Sequence, residues 1–317
     1  MNDKTANTTT ALHTAVVGTN SWGGKLYGQV LRGSSVDEQE LKNTVETAMK
    51  NGLYIFDTAQ DYGLGEGQKL IGRLCPADAV ISAKYTPGTG YEQGQVRRSV
   101  MKDLADFGRD HIDIYWLHLP NCITENLTEM AELYKEGLIK NIGVSNFTLN
   151  ECRKAQKLLE KHGIPLFGVQ NHYSLVAREW EKNGLVKWCQ DNGIQFWAWA
   201  VLEEGILVPP KKGDKMGIMR LIFMAKRRKL APLYKAMNRV AERHGISAAQ
   251  TAMTFCSSKG IIPICGCRRP YQAKQLSDAV NITLTKKEIS YLEKAADSTR
   301  VKVLGADMFR FAVKKEK

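Results

Sequence analysis

Asp57, Tyr62, Lys84 and His118 end or closely follow apolar, strand-like runs. Asp57 and Tyr62 close the stretch 54–63, Lys84 ends 79–84, and His118 ends 112–118. A buried strand gains nothing by finishing on an unpaired charge, because desolvating one is costly. Three successive strands that finish this way predict one shared site at one end of a sheet. The four side-chain types form a set that suits carbonyl reduction. A tyrosine can donate a proton, but its ordinary pKa of about 10 is high for that task. A neighbouring ammonium stabilises the tyrosinate, and a carboxylate holds the ammonium in place. A histidine can orient the carbonyl oxygen. Each residue alone also has a plain structural reading: a turn cap for Asp57, a packing aromatic for Tyr62, a solvated strand end for Lys84, a core histidine for His118. Their joint placement favours the chemical one.

The elements that must position them alternate. Candidate strands are 14–18, 53–57, 79–84, 112–118, 139–144, 166–170, 194–199 and 261–265. Between them lie amphipathic segments at 37–51, 66–73, 92–108, 125–136, 148–162, 180–192 and 230–258, with 286–298 after the last strand. Ser35 is placed to cap the first helix, Gly52 to stop it, and Thr148 or Asn150 to start the fifth. Eight strands alternating with helices predict an α/β chain folded as a closed (β/α)8 TIM barrel. The alternative is an open doubly wound sheet, which would carry G-x-G-x-x-G after its first strand. No such spacing occurs; Gly63-Leu-Gly65-Glu-Gly67 has the wrong geometry and context. We expect a disordered tail over 1–12 and one barrel domain over 13–317. A long basic insertion at about 203–229, with a helix over 216–226, should lie on the C-terminal face of the barrel.

The net charge is +12, and 211–229 concentrates part of it in Lys211, Lys212, Lys215, Arg220, Lys226, Arg227, Arg228 and Lys229. No helix-turn-helix, zinc or RNP-type motif accompanies this run, so nucleic acid is not an expected partner. No secretory signal and no apolar stretch of about 18 residues is present, so no membrane is expected either. The 7 cysteines are irregularly spaced, which predicts free thiols, no metal site and a cytoplasmic setting.

Five segments resemble the aldo-keto reductase superfamily, over roughly 14–298. They are Asp57-Thr-Ala-Gln-Asp-Tyr62-Gly63, Lys84, His118-Leu-Pro120, Gly143-Val-Ser-Asn-Phe147 and Val169-Gln170-Asn171. The resemblance implies an NADPH-dependent aldehyde or ketone reductase, with NADH possible. It makes Tyr62 the general acid, assisted by Lys84 and Asp57, with His118 on the carbonyl oxygen. It places Ser145, Asn146 and Gln170 on the nicotinamide carboxamide, Trp199 against its ring, and Thr19 and Asn20 near its ribose with Asp57. Ala200, Leu202 and Gly205 match positions that line the pyrophosphate. Val201 stands where proline is common, and Glu203-Glu204 adds negative charge near phosphate. We expect the basic 211–229 run, through Lys211 and Lys212, to compensate. After strand eight, Gly266 and Arg268 resemble the family's Gly-x-Arg segment. Arg268 would meet a 2′-phosphate, and Gln272 and Gln275 the ribose or adenine. Leu276 replaces a common asparagine.

Two rivals follow from the same resemblance. Double-bond reduction is associated with a glutamate at the fourth tetrad position, which is His118 here. A cofactor-binding regulatory or channel-associated subunit would keep the cofactor site with little turnover. Trp22, Tyr85, Trp116 and Leu119 are expected to wall an apolar pocket for a small carbonyl compound. Oligomeric state is left open.

Overall fold

The computed structural model describes residues 14–23, 37–208 and 224–303. The expected tail over 1–12, the Ser35 cap, Lys211, Lys212, Lys215, Arg220 and most of the expected 216–226 helix lie outside these residues.

Eight parallel strands close into a barrel in sequence order. They are β1 (Val16–Gly18), β2 (Ile55–Asp57), β3 (Val80–Tyr85), β4 (Ile114–Leu117), β5 (Ile142–Ser145), β6 (Gly168–His172), β7 (Gln195–Trp199) and β8 (Ile262–Gly266). Closure is made by β1, which pairs with β2 through Val17↔Phe56 and with β8 through Val17↔Cys265. Strand alternation then creates two apolar layers. The inner one is small and aromatic, with Val16, Ile114, Trp116, Trp197, Ile262 and Ile264 filling the barrel. The outer one, between barrel and helices, contains Phe56, Ile81, Leu117 and Val144 among many others. Trp116 takes so much of the interior that β5 and β6 must yield to it. A Cβ on Gly143 would sit 2.3 Å from the Trp116 ring.

The helices are α1 (Glu38–Lys50), α2 (Glu66–Leu74), α3 (Gln95–Phe107), α4 (Ile123–Lys135), α5 (Leu149–Glu160), α6 (Glu179–Lys182), α7 (Leu185–Asp191), α8 (Met224–Lys229), α9 (Ala231–His244), α10 (Ala248–Ser257), α11 (Pro270–Val280) and α12 (Lys286–Thr299). Asp37 caps α1 by accepting from Glu40 N at 2.7 Å. Thr148 caps α5 with Glu151 in a reciprocal capping box. The segment read as one helix over 230–258 is two. Gly245 ends α9 at φ 65° and Ser247 caps α10. The 180–192 segment likewise breaks at Gly184, φ 87°. Helix α11 was not anticipated, although Pro270 at its first turn is a regular starting signal.

Among the described residues no helix is long and apolar enough to cross a membrane. No group of three or more His, Cys, Asp or Glu among them is arranged to hold a metal. All seven cysteines are free.

Candidate active site

Asp57, the last residue of β2, and Lys84 on β3 both point into the barrel mouth. They form an ion pair with both side chains almost wholly buried. Such a pair survives burial only when its remaining hydrogen-bonding capacity is met. Here it is. Asp57 Oδ1 accepts from Ser82 Oγ at 2.7 Å and from Gln170 Nε2 at 3.0 Å. Lys84 Nζ donates to the Thr58 carbonyl at 2.8 Å and to Tyr62 Oη at 3.5 Å. Tyr62 opens a short 3-10 turn, Tyr62–Gly65, directly after β2. The backbone carbonyl of Asp57 accepts from both the amide and the hydroxyl of Thr19, at 3.0 and 2.9 Å.

The electrostatics sharpen the expected roles. Burial is the largest influence on Tyr62 and holds its pKa above the ordinary value. Lys84 pulls it down, but Asp57 and Asp61 push it up again. Tyr62 therefore stands as a loaded phenol; the ammonium eases loss of the proton without removing it beforehand. For Lys84 burial is again the largest influence and acts downward, yet the combined pull of Asp57 and Tyr62 leaves its pKa raised, so it stays charged. His118 is pushed down to about 4, first by burial and then by Lys84, against the opposing pull of Asp61 and Asp57. It is a neutral imidazole near pH 7.

Thr86 couples the edge of His118 that carries the proton to Asp61. Its Oγ1 lies 2.7 Å from His118 Nδ1 and 2.9 Å from Asp61 Oδ1. A hydroxyl has one hydrogen. Given to Asp61, it requires the imidazole proton on Nδ1. Given to Nδ1, it puts that proton on Nε2.

On the other side of the mouth, Ser145, Asn146 and Gln170 meet at one rim. Ser145 Oγ donates to the Gln170 carbonyl at 2.7 Å, and Asn146 Nδ2 donates to the His118 carbonyl at 3.0 Å. Asn146 takes φ 63°, a left-handed conformation that asparagine tolerates. Trp199, partly exposed, packs on the inner aromatic layer. Gly266 is exposed at the end of β8; a Cβ there would meet nothing nearer than Gly18 and Ser21, at 4.0 Å. Gln272 spends its amide oxygen on the Arg268 and Arg269 backbone amides, at 2.8 and 3.1 Å, which fixes the turn that carries Arg268. Gln275 is half-buried on α11, and Leu276 is turned wholly into the core. An aromatic face, an amide-and-hydroxyl rim, an open glycine and an arginine fit the parts of a nicotinamide dinucleotide.

Two expected pocket residues are elsewhere. Trp116 is fully buried in the inner layer, one step below the mouth, with its indole N–H on Ser82 Oγ at 2.8 Å. Tyr85 follows the inward-facing Lys84, so it belongs to the outer layer. Burial pushes its pKa to about 12, with a smaller contribution from Glu129. Trp22 and Leu119 are both buried. Trp22 packs near Phe56 and donates its indole N–H to the Cys267 carbonyl at 2.7 Å, tying the loops after β1 and β8.

Several residues that sequence reasoning missed complete the region. Ser82 braces Asp57, and Thr86 braces His118. Glu203, expected near phosphate, is instead buried against His172, its Oε1 2.8 Å from Nε2, and it also accepts from Ser174. Arg227 is no solvated cation of the basic run. It is buried and donates to the Gly205 and Val208 carbonyls at 2.9 and 3.0 Å. The Ser82 signal was available, since it shares the inward parity of Lys84.

The Aldo/keto reductase family model matches residues 15–297. The chain is 28% identical over 301 residues to the chloroplastic pyridoxal reductase of Arabidopsis thaliana, covering 88% of this chain and 82% of that protein. A solved thermostable aldo-keto reductase in complex with the inhibitor epalrestat superposes with a TM-score of 0.70 at 26% identity, over 89% of this chain and 94% of that one. An aldo-keto reductase from Klebsiella pneumoniae, solved in complex with NADPH, gives a TM-score of 0.70 at 22% identity, over 88% and 90%. At that identity it speaks for the shared fold.

Proposed function

Since this chain belongs to the Aldo/keto reductase family, a family of nicotinamide-dependent carbonyl oxidoreductases, we propose that it reduces an aldehyde or ketone with NADPH and that Tyr62 supplies the proton. The observation that carries this reading is the phenol held 3.5 Å from a buried, carboxylate-paired ammonium. Burial keeps the Tyr62 proton in place until a carbonyl oxygen gains negative charge beside it. Lys84 then stabilises the tyrosinate that is left, and Asp57, Ser82 and Gln170 keep Lys84 from following the charge. Neutral His118 orients the carbonyl oxygen through Nε2–H whenever Thr86 donates to Nδ1. When bound, NADPH supplies the hydride. Ser145, Asn146 and Gln170 would hold its carboxamide, and Trp199 would face its ring. Arg268, on the turn fixed by Gln272, would meet the 2′-phosphate.

Loss of reduced-nicotinamide absorbance with a panel of aldehydes and ketones tests this. Wild type should turn over. Tyr62→Phe should lose about 10²-fold or more in kcat, the scale of a removed general acid, and keep its NADPH Kd. A wild type that binds NADPH but reduces no carbonyl would point instead to a cofactor-binding regulatory role. For cofactor choice, NADPH should bind more tightly than NADH, with Arg268→Ala erasing the difference; tighter NADH binding would sink this part.

A further inference from the structure

We propose that His172 and Glu203 are positioning residues that set Trp199 and the loop after β7 for the cofactor; the cofactor part rests on the reading above. His172 and Trp199 are partners in the β6–β7 register, and their rings lie 4.7 Å apart, tilted by 36°. Both side chains point into the barrel mouth, as Gln170 and Trp197 do one inward step earlier on the same strands. The His172 ring is almost wholly buried. Its Nε2 faces the Glu203 carboxylate, which can only accept, so Nε2 carries a hydrogen. Its Nδ1 is buried without a hydrogen-bond partner. Glu203 is therefore the polar anchor of the ring that packs on Trp199.

The same contact restrains the loop. Ala200, Glu203 and Glu204 all have left-handed backbones, at φ 57°, 49° and 53°. Residues of this type rarely hold such a conformation unless the surroundings impose it. Glu203 is tied to β6 through His172 and to the following turn through Ser174. The far end is tied to α8, where Arg227 donates to Gly205 and Val208. The loop that sequence matching assigns to the pyrophosphate is thus held at both ends. The charge of Glu203 is spent inside the mouth.

Both partners of Glu203 use one oxygen, Oε1. Glu203→Gln keeps an acceptor there, and Glu203→Leu removes it. NADPH is titrated into each full-length variant and followed by tryptophan fluorescence. Near-UV circular dichroism without cofactor is recorded in parallel, and Trp199→Phe identifies the Trp199 band. Glu203→Leu should raise the NADPH Kd about tenfold, the scale of one misplaced aromatic contact, and alter the Trp199 band. Glu203→Gln should restore both, and the kcat at saturating NADPH should change less than the KM for NADPH. The proposal fails if Glu203→Leu leaves Kd and band unchanged, or if Glu203→Gln is as damaging as Glu203→Leu. Should Glu203→Leu not fold, His172→Phe, which keeps a ring but drops the tether, should show the same rise; wild-type affinity there overturns the proposal. If wild type does not bind NADPH, the cofactor reading fails, and the Trp199 band still decides whether the couple positions that ring.

Discussion

Asp57 and Lys84 rise from two adjacent strands, whereas Glu203 reaches His172 from a loop with a left-handed backbone. Both couples are buried in the mouth of the same barrel, yet they are satisfied differently. Asp57 accepts from Lys84, Ser82 and Gln170, and Lys84 also donates to Thr58 and Tyr62. Glu203 gathers His172 and Ser174 on a single oxygen and leaves Nδ1 of His172 without a partner. On the proposed reading the first couple holds charge beside a group that changes charge, and rigid strands with saturated partners suit that task. The second has a ring and a loop to place, for which one well-aimed hydrogen bond is enough.

The largest expected effect comes from breaking the first couple. Lys84→Met leaves a buried carboxylate without its cation and should cost about 3–5 kcal/mol of stability in urea unfolding. Glu203→Leu leaves His172 Nε2 and Ser174 Oγ without their shared acceptor and should cost about 1–3 kcal/mol. Equal losses would mean that the two couples are alike.

A pH series sharpens the contrast by asking what burial does without a matched partner. Asp103 is fully buried, accepting from Gln68 at 2.6 Å and Tyr115 at 2.9 Å, and burial pushes its pKa to about 6. Because the folded value is raised, its contribution to stability is greatest below about pH 4 and falls as pH rises to about 6. His118 has the opposite sign. Its folded pKa of about 4 lies below its ordinary 6.5, so stability is lost as pH falls from about 6.5 towards 4. Each is worth about 3 kcal/mol, so wild type should show a shallow slope between pH 4 and 6. His118→Gln should become less stable as pH rises through that window, and Asp103→Asn less stable as pH falls. Chemical unfolding at several pH values checks both, and parallel slopes in the two variants would refute the assignment.

The smallest effect belongs to Thr86. Thr86→Val removes one hydrogen bond to His118, which should lower kcat about fivefold, for about 1 kcal/mol, and leave the NADPH Kd alone. A change in cofactor affinity instead would place Thr86 on the wrong side of the comparison.

Local pattern carried much of this. The eight strands were legible because their apolar runs are short and bounded; Thr148 and Asn150 both offered a start for the fifth helix, and the reciprocal bonds between Thr148 and Glu151 decide for Thr148. Asp57, Tyr62, Lys84 and His118 stood out because a polar group at a strand end is conspicuous. Helix α11 was missed because its flanking Arg268-Arg269-Pro270 reads as a ligand segment before it reads as a helix start.

The amino-acid sequence by itself determined the alternation that closes the barrel and the residue types gathered at its mouth, since strand periodicity and strand ends are properties of neighbouring residues. Only the tertiary structure decided which side chains look inward and what they meet there. A single step of strand parity separates Lys84 in the mouth from Tyr85 in the outer layer, and one inward step along β4 separates His118 from the buried Trp116. Gln170 reaches Asp57 across 113 residues and Glu203 reaches His172 across 31. Barrel closure brings such pairs together, and burial at the closed mouth keeps the Tyr62 proton in place against the opposing pull of the nearby ammonium.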